Sequence, residues 1–150
     1  MTQEDKDLLL KDLCARLPYG VIVETPKGKG HVCDINTTIF GYEFGVNVNA
    51  TIRDNFSISY VKPYLFPLSS ITDKQAKEIQ EIIGNPDYAC INIKTDGLEL
   101  WLNFIDTDPT ISLDTIFEVQ DYLNKNHFDY RGLIPMDLAI AVTKENNPYK

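Results

Sequence analysis

Residues 123–134 read LNKNHFDYRGLI and bring His127, Asp129, Tyr130 and Arg131 into one short stretch. An imidazole beside a carboxylate is the equipment of general acid–base catalysis. A nucleophilic system, however, needs a serine or cysteine within hydrogen-bond reach of the imidazole, and the sequence neighbours supply none. Asp129 with Arg131 suits a structural ion pair. The same residues also write a helix end. Lys125 and His127 complement the negative pole of a helix, Asn126 suits the left-handed conformation that stops one, and Gly132 permits a turn back to the core. The stretch is therefore expected to be structural, and no catalytic residue is assigned.

A second cluster of cations, Lys27 and Lys29, lies in TPKGKGH at 25–31. It lacks the G-x-x-x-x-G-K-[ST] spacing that aims successive amides at phosphates, so a solvated hairpin turn is expected. In an alternative reading, Lys27, Lys29 and Arg131 hold a nucleotide or other small anion while Tyr130 or Trp101 stacks on a base. Cys14, Cys33 and Cys90 form no CxxC pair and read as buried small hydrophobes. With only His31 and His127 beside them, no metal site and no cofactor are expected.

The chain of 150 residues suits one domain, with sub-lobes at 1–68 and 69–150, and needs no disulfide prop at this length. Its formal charge of −8 works against a nucleic-acid backbone as partner, since such binding draws on Lys and Arg. No apolar run is long enough to span a bilayer, and the opening MTQEDKDLLLKDL is too acidic for a secretory or import signal. A cytoplasmic protein is expected, with no membrane partner.

The elements that must position these residues follow from spacing. Leu10, Leu13, Cys14 and Leu17 fall on one helical face, with Thr2 as cap and Pro18 as stop. From Val21 to about Phe66 the runs GVIVET, GHVCDIN, YEFGVNV and FSISYV predict four short strands in a small antiparallel sheet, curled or SH3-like. In the last run Phe56, Ile58 and Tyr60 are expected on one face. Pro63 and Pro67 argue against a central strand in KPYLFP. That stretch is either a connector plugging Tyr64, Leu65, Phe66 and Leu68 into an interface between sub-lobes, or an exposed ledge of Lys62, Tyr64 and Phe66.

ITDKQAKEIQEIIGNP predicts a helix with a Thr72–Gln75 capping box, a buried stripe of Ala76, Ile79 and Ile83, and Gly84 past its end. ACINIKTDGLELWLNF predicts a hairpin turning at Asp96-Gly97, with Lys94 opposite Glu99 and Ile93 opposite Leu100. Trp101 then lies on the polar side, covered or serving as a binding anchor. A third helix, capped by Thr110 or Ser112, points Leu113, Ile116, Val119 and Leu123 inward. The chain closes in an extended segment where Leu138, Ile140 and Val142 alternate. The class is α+β: helix, antiparallel sheet, helix–hairpin–helix, extended segment.

LLLKDLCARLPYGV, KPYLFPLSSIT and YLNKNHFDYRGLIP, at 8–21, 62–72 and 122–135, together resemble a group of small proteins of gut Bacteroidales and their phages and mobile elements. The resemblance covers about a quarter of the chain and brings no activity or site residue with it. It implies an accessory gene product working inside a bacterial cell. It also implies a shared framework with a variable middle, Lys27 to Ser59, which suits a partner-binding scaffold. The expected function is thus non-enzymatic binding of a host protein such as a defence factor, ahead of the anion-binding alternative and of a hydrolase or transferase using His127. Phe40, Tyr42, Tyr64 and Trp101 are the candidate contact residues, and homo-oligomerisation is left open.

Overall fold

The computed structural model describes residues 1–39, 41–48, 52–84, 89–94, 97–102 and 113–150. In chain order the elements are α1 (Gln3–Arg16), β1 (Ile22–Thr25), β2 (Gly28–Thr38), β3 (Gly41–Val48), β4 (Ile52–Ser57), β5 (Lys62–Leu65), α2 (Asp73–Ile83), β6 (Ala89–Lys94), β7 (Gly97–Leu102), α3 (Leu113–Lys125) and β8 (Ile140–Ala141). The class is α+β. Two compact units form: Met1–Phe66 with Arg131–Lys150, and Pro67–Tyr130. The C-terminal twenty residues thus belong with the first unit rather than with a sub-lobe 69–150.

In the first unit, α1 starts at a reciprocal cap. The Asp5 amide donates to the Thr2 hydroxyl at 3.2 Å, and the Thr2 amide donates to the Asp5 carboxylate at 2.7 Å. Its fully buried residues are Leu9, Asp12, Leu13 and Arg16; of the expected stripe Leu13 is buried, Leu10 and Leu17 pack partly buried on the core, and Cys14 turns outward. Hydropathy spacing assigns charges to the outside. Here two opposite charges four residues apart satisfy each other and turn inward together. Cys14 is exposed as a result, and so is Cys33, against the expectation of buried thiols.

The sheet runs β4-β3-β2-β1-β5-β8, antiparallel throughout except for the parallel pair β5–β8. One face carries Val23, Val32, Phe44, Val46, Phe56 and Leu65 into a core shared with Leu9 and Leu13 of α1 and with Leu133 and Leu138. A bulge between Val32 and Asp34 shifts β2 by one residue, so that Ile35 comes opposite Phe44 and packs on the same core. Gly30 allows β2 and β3 their close approach, because a Cβ there would sit 2.4 Å from the Asn47 carbonyl oxygen.

Two expectations about this sheet are corrected. β4 ends at Ser57, and Ile58–Tyr60 form a 3-10 turn that buries Ile58 but leaves Tyr60 exposed. KPYL is an interior strand despite its proline. Val142 donates its amide to the Leu65 carbonyl at 2.8 Å, so the backbone groups of Leu65, and by alternation those of Pro63, face the β8 side. The β8 ladder covers only Tyr64 and Leu65, and the position where Pro63 lacks a donor lies outside it. The final segment also departs from simple alternation: Leu138 joins the main core, while Val142 packs with Ile22 and Tyr64 in a second cluster.

In the second unit, Thr72 and Gln75 close the expected capping box, Ile79 is buried, and Gly84 at φ 94° follows the helix. The hairpin of β6 and β7 is closed by Lys94 opposite Gly97, with Asn92 opposite Glu99, Ile93 opposite Leu98 and Ile91 opposite Leu100. The Lys94–Glu99 and Ile93–Leu100 pairs are therefore not formed as direct partners, and Gly97 lies in the ladder rather than in a two-residue turn with Asp96, which is outside the described residues. Sliding the ladder by one residue on each strand leaves every residue on its original face, so alternation alone cannot choose between the two registers. The observed one sets apolar residues opposite each other down the whole stripe. In α3, Leu123 is buried but Ile116 is exposed, contrary to expectation. The candidate caps Thr110 and Ser112 lie outside the described residues. Among the described residues no helix is long and apolar enough to cross a membrane.

Candidate functional site

Residues 123–128 form a helix stop. Phe128 donates its amide to the Leu123 carbonyl at 2.9 Å and His127 donates to that of Asn124 at 3.1 Å, the paired bonds of a Schellman motif. The left-handed residue is His127 at φ 56°, not Asn126. Leu123 and Phe128, the two residues such a motif brings into contact, are both buried. The first unit repeats the device ten residues on. Leu138 donates to Leu133 at 2.9 Å, Asp137 donates to Ile134 at 3.1 Å, and Asp137 sits at φ 56°. The same pair of bonds and the same left-handed φ thus recur at His127, where they end a helix, and at Asp137, where they close a turn.

Each candidate anion-binding residue has partners within the chain. The Lys27 ammonium lies 3.0 Å from the Asp54 carboxylate. Lys29 sits over the Tyr64 ring, 4.7 Å from its centre, and reaches the Asn146 carbonyl at 3.5 Å. Arg131 Nε lies 3.4 Å from Asp12, which also takes two bonds from Arg16 at 2.7 and 2.9 Å with both side chains wholly buried. Tyr130 accepts from Gln120 and donates to Asn124, both at 3.1 Å. The lysines and Arg131 thus meet groups of the protein itself.

Of the candidate contact residues, Tyr64 is buried at 4% exposure and is no surface ledge. Its hydroxyl donates to Glu24 at 2.5 Å, and burial, followed by that carboxylate, pushes the phenol well above its ordinary pKa. Phe40 and the Trp101 side chain lie outside the described residues. Tyr42 is 42% exposed beside Ile39, which is 93% exposed. These two stand where β2 and β3 close: the last pair is Thr38–Gly41, the Thr38 hydroxyl donates to the Gly41 carbonyl at 2.9 Å, and Gly41 adopts φ 115°. The β2–β3 hairpin, which runs two rungs past the end of β4, therefore presents exposed apolar side chains at its tip. Behind the tip, on the sheet face away from the core, Asp34 accepts from Asn36 at 2.6 Å and pairs with Arg53 at 2.7 Å. That carboxylate lies over Gly45, where a Cβ would come within 2.6 Å of it.

Among the described residues no group of three or more His, Cys, Asp or Glu is placed to hold a metal ion. Two groups of residues escaped the sequence reading. The Asp12–Arg16 pair had a legible signal, an i, i+4 spacing of opposite charges within an apolar repeat. Tyr149, whose hydroxyl enters the sheet, had none. Comparison with protein-family models, with curated proteins and with solved structures gives no match.

Proposed function

We propose that the protein is a non-enzymatic binding protein that engages another protein through the tip of its β2–β3 hairpin. The observation that supports this is the nearly complete exposure of Ile39 next to half-exposed Tyr42 at the end of the longest hairpin. A large aliphatic group in water at a hairpin tip adds nothing to the core, and interfaces draw much of their energy from a few such anchors. Phe40, between them in sequence, extends the same apolar run. The resemblance to accessory proteins of phages and mobile elements suits a host protein, such as a defence factor, as the partner. The acidic charge suits a basic surface on it. Sequestering a small anion is the weaker reading, because Lys27 and Arg131 already face carboxylates of the chain.

Affinity capture from a bacterial host lysate tests the proposal when the parent and an Ile39→Asp/Tyr42→Ala variant are run side by side. A protein retained by the parent and lost from the folded variant is the expected result. Equal retention would move the contact surface elsewhere on the molecule, and retention of nothing by the parent would remove the protein-binding reading.

A further inference from the structure

The sheet holds a slot that its own chain fills with a hydroxyl. β1 and β5 pair at Glu24–Lys62 and Val23–Pro63, and the next rung would join the Ile22 amide to the Tyr64 carbonyl. The Tyr149 hydroxyl stands in that rung instead. It accepts from Ile22 N–H at 3.3 Å and donates to the Tyr64 carbonyl at 2.8 Å. The ring lies in the apolar cluster of Ile22, Tyr64 and Val142, with Phe66 tilted 31° to it at 5.9 Å between centres. A phenol fits because it offers one acceptor and one donor on a flat apolar body. Phenylalanine would leave both backbone groups facing each other without the bridge.

Before Tyr149 and its apolar pocket, the segment that delivers it is tied through Asn146. Asn146 donates to the Ala141 carbonyl at 2.9 Å, accepts from the Thr143 amide at 2.7 Å, and offers its own carbonyl to Lys29. Residues 143–145 and 150 are exposed, and no residue from 143 to 150 is fully buried. We propose that the rung between Ile22 and Tyr64 is a phenol-recognition site, occupied in cis by Tyr149 and able to take a tyrosine side chain of another chain when residues 143–150 are released. The site is distinct from the β2–β3 tip and does not depend on the function proposed for that tip.

The full chain carrying Tyr149→Ala provides the test, with N-acetyl-tyrosinamide and N-acetyl-phenylalaninamide as probes in thermal unfolding. The tyrosine compound should raise the midpoint of the variant by several degrees. The phenylalanine compound should not, and the parent, whose slot is filled, should respond less than the variant. Equal shifts from both compounds, or no shift from either, would overturn the proposal. Should Tyr149→Ala fail to fold, the decisive measurement is hydrogen exchange at the Ile22 amide in Tyr149→Phe. Exchange at least tenfold faster than in the parent is expected, and an unchanged rate would refute the bridge.

Discussion

His127 and Asp137 occupy the left-handed region, where a side chain ordinarily costs energy and glycine does not. The two substitutions of His127 therefore separate backbone from ring. Both glycine and alanine lose the buried imidazole, but only glycine relieves the φ of 56°. His127→Gly should be more stable than His127→Ala by about 1 kcal/mol in urea denaturation. Alanine equal to glycine would mean that the backbone there is not strained. The same order is expected at Asp137. Tyr149 gives a pH signature at this scale. Burial pushes its phenol up to about 12, with the hydrogen bond from the Ile22 amide and then the Arg16 charge acting the other way. A raised pKa means that the folded state holds its proton longer than the unfolded chain. The associated stability is thus complete below the ordinary phenol value of about 10. It is lost as pH rises from there to about 12. Stability against pH should fall more steeply over that window in the parent than in Tyr149→Phe. Identical slopes would place the hydroxyl in water.

Among the elements, α1 depends most on a single pair. Asp12 and Arg16 are wholly buried, and Arg131 adds a second cation beside Asp12. Removing one member of such a pair leaves an uncompensated buried charge, whereas replacing both with apolar groups removes the need for a partner. Asp12→Ala should cost about 3–5 kcal/mol. Asp12→Leu/Arg16→Met should be clearly less destabilised in the same denaturation experiment. A double variant as unstable as the single one would mean that the pair holds the helix in place rather than merely neutralising itself. β2 and β3 are constrained differently, by approach. Gly30→Ala would drive a methyl group into the Asn47 backbone, while the nearest atoms to a methyl group at Gly45 are those of the Asp34 side chain. A side chain can rotate away where a carbonyl in a ladder cannot. Thermal unfolding should therefore show a larger loss for Gly30→Ala than for Gly45→Ala.

For the molecule as a whole, the β2–β3 tip should be separable from stability. Ile39 and Tyr42 are exposed, so Ile39→Asp and Tyr42→Ala should each change unfolding free energy by less than about 0.5 kcal/mol. Each should nevertheless weaken partner binding at least tenfold, an effect of about 1.4 kcal/mol or more. Loss of folding in either variant would assign these residues to the core. The charge of −8 acts over longer range. With a basic partner, raising ionic strength should slow association while leaving dissociation nearly unchanged in surface plasmon resonance. An association rate indifferent to salt would make the acidity irrelevant to the encounter.

Where the sequence was sufficient, the deciding chemistry was local. Thr2, Thr72 and Gln75 cap their helices through residues three positions away, and the strands of the sheet follow from alternation within a few residues. The exposed Tyr42 belonged to a run of aromatics already suspect in the sequence. Tertiary structure decided which partner each element meets. Periodicity found Leu10, Leu13 and Leu17 on the inward side of α1, but left out Asp12 and Arg16, which are buried beside them and neutralise each other. Proline excluded KPYL from a sheet interior, yet β8 is short enough to leave Pro63 outside its ladder. Alternation fits either register of β6 and β7 equally, and the ladder formed is one that short-range pattern does not specify. Tyr149 reaches Ile22 across 127 positions, a contact for which no local spacing exists. Caps and alternation are energies among near neighbours, whereas pairing and burial depend on surfaces that exist only once the chain has folded.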